Sequence, residues 1–75
     1  MHWNYRVLRH AAGWIAIHEV YYDDAGRPRS CTVEPVNLSG DSVDELQSSL
    51  KLIERAFQDP VLDYEGFETK SDPKP

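Results

Sequence analysis

Cysteine is almost missing from this chain, and the one present, Cys31, rules out an intramolecular disulfide. That matters because a domain of 75 residues sits near the lower size limit for a self-sufficient core. Small domains make up the deficit with disulfides, a metal or a second chain. Also missing is any apolar run long enough for a membrane span or the centre of a secretory signal. With a Met at position 1 and a lone thiol, the expectation is a cytoplasmic protein with no membrane association. Basic residues are scarce, eight Lys and Arg against thirteen Asp and Glu, for a formal net charge of -5. Such a surface is a poor match for a nucleic-acid backbone, where cations must replace condensed counterions. Glycine occurs singly at 13, 26, 40 and 66, so no phosphate-cradling cluster exists and these positions read as turns.

What is present alternates. Residues 3–10 place Trp3, Tyr5 and Val7 on one side and read as a first strand. Gly13 suits the left-handed position of a three-residue hairpin loop. Pairing His10 with Trp14 then sets Val7 across from Ile17, Tyr5 across from Glu19 and Trp3 across from Tyr21. The second strand, Trp14–Tyr22, is apolar or aromatic on both faces: Ile15, Ile17 and Tyr21 point one way, Trp14, Ala16, Val20 and Tyr22 the other. After the turn Asp23–Gly26, a third strand runs from about 29 to 36, limited by Pro35, which cannot donate to a ladder. The expected register puts Val33 beside Ile17 and Cys31 beside Glu19; a slip of one residue would move both to the Trp14/Val20 face.

The helix is announced by Ser42 and Glu45, a capping box, with Val43, Leu46, Leu50, Ile53 and Phe57 recurring as one stripe. Asp59 before Pro60 stops it near Gln58. Leu52 lies off the stripe. Four large apolar residues in Pro60–Phe67 predict a docked segment, and residues 68–75 read as a disordered tail after a single domain over 1–67. The expected fold is α+β: a three-stranded antiparallel meander, one helix on one face and the docked C-terminal segment.

The residues offer little chemistry. His18-Glu19 starts a zinc-protease pattern that fails at Tyr22, and in a strand the two side chains oppose each other. His2 and His10 add no metal-ligand spacing, so no metal, cofactor or catalytic residue is expected, and His18 reads as structural or solvated. Glu19 reads as a sheet-margin carboxylate bonded to Tyr5 or reaching Arg29, and Cys31 as a small core thiol. Aromatic and arginine enrichment fits a protein interface. Arg6, Trp14, His18, Val20 and Tyr22 would share one sheet face, and with Leu52 they form the candidate interface.

The segments Trp3-Asn-Tyr-Arg-Val7, Ile17-His-Glu-Val-Tyr-Tyr-Asp23 and Pro60-Val-Leu-Asp-Tyr64 resemble a group of short uncharacterised bacterial proteins. That resemblance implies no activity or site residues. Three strands followed by Gly40-Asp41-Ser42 and an amphipathic helix are also similar, at the level of fold, to HicB-type antitoxins, which bind a toxin. The chain departs from those antitoxins in holding no separate DNA-binding segment. The expectation is a non-catalytic protein-interaction module, a homodimer using the outer sheet face or an exposed edge strand. The rival is a HicB-like antitoxin or small acidic inhibitor of a toxin or nuclease. What covers Trp14, Val20 and Tyr22 decides how far the homodimer reading stands.

Overall fold

The computed structural model describes residues 2–71. Along the chain come β1 (His2–Arg9), β2 (Ile15–Tyr22), β3 (Pro28–Thr32), α1 (Val43–Glu54), a 3₁₀ turn (Arg55–Gln58), β4 (Leu62–Asp63), a second 3₁₀ turn (Tyr64–Gly66) and β5 (Thr69–Ser71). The sheet is mixed and five-stranded, in the order β4-β1-β2-β3-β5. The meander β1-β2-β3 is its antiparallel centre, while β4 and β5 add parallel to β1 and β3. The class is α+β.

The β1/β2 register follows the alternation: Val7 opposes Ile17, Tyr5 opposes Glu19 and Trp3 opposes Tyr21. His10 N–H bonds to Trp14 O at 2.9 Å, and Gly13 takes φ 98°, a conformation that costs glycine nothing. The β2/β3 register departs from expectation. Tyr22 opposes Pro28, as the predicted count requires, but Tyr21 opposes Ser30, so the extra residue Arg29 bulges out of the ladder. That single insertion sends Cys31 opposite Val20 and into the buried outer face rather than beside Glu19. Val33 falls beyond the end of β3 and is exposed, and Val36 N–H instead reaches Ile17 O at 2.8 Å.

The capping box closes in a shifted form, its return bond going to Asp41 rather than to the N–H of Ser42. Ser42 Oγ accepts the Glu45 N–H at 3.1 Å, and Glu45 Oε2 accepts the Asp41 N–H at 3.2 Å. After Glu54 the helix tightens to 3₁₀, and Asp59 is extended ahead of Pro60. The apolar stripe, however, does not all meet the sheet. Ile53 and Ala56 are buried with Leu46 and Ser49 half-buried, whereas Val43 is 80% and Phe57 69% exposed. The buried side is rotated by roughly 60° from the centre of the stripe, at about 100° per residue. The side turned to the sheet carries the small residues Ser49 and Ala56 beside Leu46 and Ile53.

The C-terminal segment holds the largest surprise. Residues 69–71, placed by sequence in a disordered tail, form β5 against β3; residues 72–75 of that tail lie outside the described residues. The chain from 59 to 71 thus passes from one sheet edge to the other, crossing the outer face between them. Four interstrand gaps of about 4.8 Å would separate the outer strands of a flat sheet by roughly 19 Å. Six residue steps from 63 to 69, half of them in a 3₁₀ turn, reach only about 16 Å. The sheet therefore curls, and the enclosed core is Leu8, Val20, Tyr22, Cys31 and Phe67, with Leu62 and Tyr64 packed against it.

Candidate functional site

The sheet face assigned by sequence to a partner is covered from within the chain. Arg6, His18, Val20 and Tyr22 are all at or below 9% exposure, sealed by the strap of residues 59–71. Four of the six proposed interface residues are thus core, because the strap supplies the apolar cover that the helix cannot extend to both faces. Trp14 and Leu52 remain half-exposed, at 49% each. They lie in different places, Trp14 stacked on His10 and Leu52 lining a cleft of about 510 Å³ with Trp3 and Tyr5.

Arg6 anchors the start of the strap. Its two terminal nitrogens donate to Tyr22 Oη and to the Pro60 carbonyl, both at 2.9 Å. Nε lies 3.9 Å from Asp59 Oδ2 and is buried without a hydrogen bond. The Tyr22 hydroxyl in turn donates to Asn4 Oδ1 at 2.7 Å. A guanidinium this buried is tolerated because hydrogen bonds replace its hydration.

Further along, two histidines that sequence spacing does not connect face each other. His10 Nε2 and His18 Nε2 are 3.0 Å apart, and His18 Nδ1 lies 3.0 Å from the Thr32 carbonyl. His18 is fully buried, and that burial pushes its pKa down; the Thr32 carbonyl and Glu34 oppose the shift, and His10 adds to it. His10 lies between two aromatic plates, Trp14 at 3.5 Å and Tyr64 at 4.1 Å between ring centres. Lys70 Nζ sits 4.7 Å from the centre of the Tyr64 ring and donates to Phe67 O at 2.7 Å. Glu65 Oε2 accepts the Ala11 N–H at 2.9 Å, tying the strap to the hairpin loop. Burial also pushes the Cys31 thiol up, which suits a packed thiol better than a nucleophile.

On the helix side, Glu19 accepts the Tyr21 hydroxyl at 2.8 Å rather than bonding Tyr5 or reaching Arg29. Burial first, and that bond second, push the Tyr21 phenol up to about 12. The bulge at Arg29 turns its side chain to Asp23 instead, 3.6 Å away. Among the described residues no group of three or more His, Cys, Asp or Glu is placed to hold a metal, and no helix is long and apolar enough to cross a membrane. The chain matches no protein-family model, no curated protein and no solved structure. The functional reading therefore rests on surfaces and side chains alone.

Proposed function

We propose that this chain is a small non-catalytic protein-interaction module that forms a homodimer through the exposed flank of α1. One observation carries the reading: Val43, Leu50 and Phe57 recur at a spacing of seven residues and are 80%, 45% and 69% exposed. The 3₁₀ turn advances about 120° per residue, which brings Phe57 into line with Val43 rather than leaving it nearer the sheet. Side chains at this spacing form a seam of the kind that two helices share.

The occupant that fits is a second copy lying antiparallel. Leu50 then sits on the two-fold axis, with Val43 facing the partner's Phe57. The first turn carries Asp44 and Glu45 and the far end carries Arg55 beside Glu54, so an antiparallel copy sets Arg55 against the partner's Asp44 and Glu45, with Lys51 near the axis. A parallel copy would stack like on like. The non-catalytic part of the proposal is supported by where the hydrogen-bonding capacity goes. Both ring nitrogens of His18 are engaged, by His10 and by the Thr32 carbonyl, and Glu19 accepts from Tyr21.

Three seam residues are few beside the roughly 20–30 residues per side of a stable interface, so the dissociation constant should be micromolar. Sedimentation equilibrium from 5 µM to 1 mM should show a monomer–dimer equilibrium that Leu50→Glu abolishes with the circular dichroism unchanged. A wild type that stays monomeric throughout that range refutes the homodimer.

A further inference from the structure

We propose that the His10–His18 pair is a one-proton latch, holding the strap segment Leu62–Phe67 on the sheet and releasing it on acidification. The hydrogen-bond geometry fixes both tautomers. A carbonyl only accepts, so the proton of neutral His18 is on Nδ1, bonded to Thr32 O at 3.0 Å. His18 Nε2 is then a bare lone pair, and the group facing it at 3.0 Å must be the Nε2–H of His10.

One further proton is accommodated at His10 Nδ1 with the bond between the rings intact. A second has only His18 Nε2 to go to. There it points at the His10 N–H across 3.0 Å, and two positive rings meet where His18 has no contact with water. The pair must separate. His10 is the plate on which Tyr64 stacks, so its departure removes the strap's central aromatic contact.

The groups that face the pair come from four elements. From the end of β3, Glu34 faces the pair beyond the Thr32 carbonyl, while Cys31 is held neutral by burial. From the strap, Glu65 reaches Ala11 beside His10, and Tyr64 covers the ring under the Lys70 ammonium. From β1, Arg6 lies across from His18 with its charge bound to Tyr22 and Pro60, and from the hairpin Trp14 brings no charge. Glu34 favours a proton on His18, while burial and the neighbouring His10 oppose it.

With the strap open the two rings no longer face each other, so each can hold a proton and the open form binds one proton more than the closed form. The ratio of closed to open forms therefore falls by up to about tenfold per pH unit on acidification. Imidazole ¹⁵N shifts and amide hydrogen-exchange protection factors from pH 8 to pH 5 read the latch directly. Above pH 7, His18 should show Nδ1–H and His10 Nε2–H. Below pH 6, protection at Leu62 and Phe67 should fall by about tenfold per unit, while Arg6 and His18 in the β1/β2 ladder keep theirs. His18→Asn keeps a donor for Thr32 and does not titrate, so its strap protection should be flat with pH. Reversed tautomers overturn the proposal, as does flat protection in the wild type or a slope retained in His18→Asn. Strap and hairpin amides failing together also overturn it, and this wild-type comparison stands even if His18→Asn does not fold.

Discussion

The two faces of one sheet are covered in contrasting ways. The outer face is sealed by a strap without regular helix, and Leu8, Val20 and Cys31 beneath it have no exposed surface. The inner face is overlain by a well-capped amphipathic helix with a cleft of about 370 Å³ between Tyr5, Glu19, Ser49 and Ile53, while a larger one of about 640 Å³ opens at the strap's own flank, between Pro28–Ser30 and Leu62–Thr69. Regular secondary structure is therefore no guide to which face is core. The strap succeeds because it is tied down at intervals: by Arg6 to Pro60, by strand pairing at β4, by the Tyr64–His10 stack, and by strand pairing again at β5. The helix meets the sheet mainly through Ile53 and Ala56 and leaves the rest of its stripe outside.

The two phenylalanines put this contrast to its hardest test. Phe67, 8% exposed on the inner side of the strap, should cost about 3–5 kcal/mol on truncation to alanine, while Phe57, 69% exposed in the turn that ends the helix, should cost within about 0.5 kcal/mol in the monomer. Urea unfolding of Phe67→Ala and Phe57→Ala, at concentrations low enough to keep the chain monomeric, measures both. Equal costs would mean that the helix face is the true core.

A smaller effect belongs to the anchor. Arg6→Met preserves much of the apolar stem but removes both charged hydrogen bonds, at about 2–3 kcal/mol in the same unfolding measurement. A negligible loss would show that the strap holds without its polar tie. The least effect is on the helix side, where Tyr21→Phe loses the bond to Glu19, about 1 kcal/mol at neutral pH. The fold raises the phenol's pKa, so the stability it supplies is fully present below pH 10 and is lost as pH rises toward about 12. Chemical denaturation between pH 9 and pH 11 should therefore show the gap between wild type and Tyr21→Phe narrowing as the solution becomes alkaline.

Local rules made much of this legible. Alternation and Gly13 determine the β1/β2 register, and Ser42 with Glu45 marks the start of α1. The Arg29 bulge was not legible, because one inserted residue leaves the hydrophobic pattern plausible in either register. The strap was half legible. The apolar content of 61–67 announces docking, but Thr69-Lys70-Ser71 carries no strand signal of its own, and its pairing is imposed by the edge of β3. The histidine pair had no signal at all. The register sets His10 across from Trp14 and His18 across from Arg6, and only tertiary curvature brings their rings together. Periodicity identified the helix stripe correctly, but it could not say which side of that stripe the sheet would take.

The strap also sets the order of events during folding. Its ties join residues 54 positions apart, Arg6 to Pro60 and Ala11 to Glu65. Contacts of such long separation carry the full entropic cost of loop closure before they return any stabilisation. On a ribosome, the β1/β2 hairpin and even α1 can emerge with both borders of the sheet still unpaired. The borders close only when residues 62–71 have been made, and one short stretch closes both. Until then the nascent chain presents Leu8, Val20 and Cys31 to whatever is nearby, so the interval before the strap arrives is its period of greatest vulnerability to mispairing with other chains.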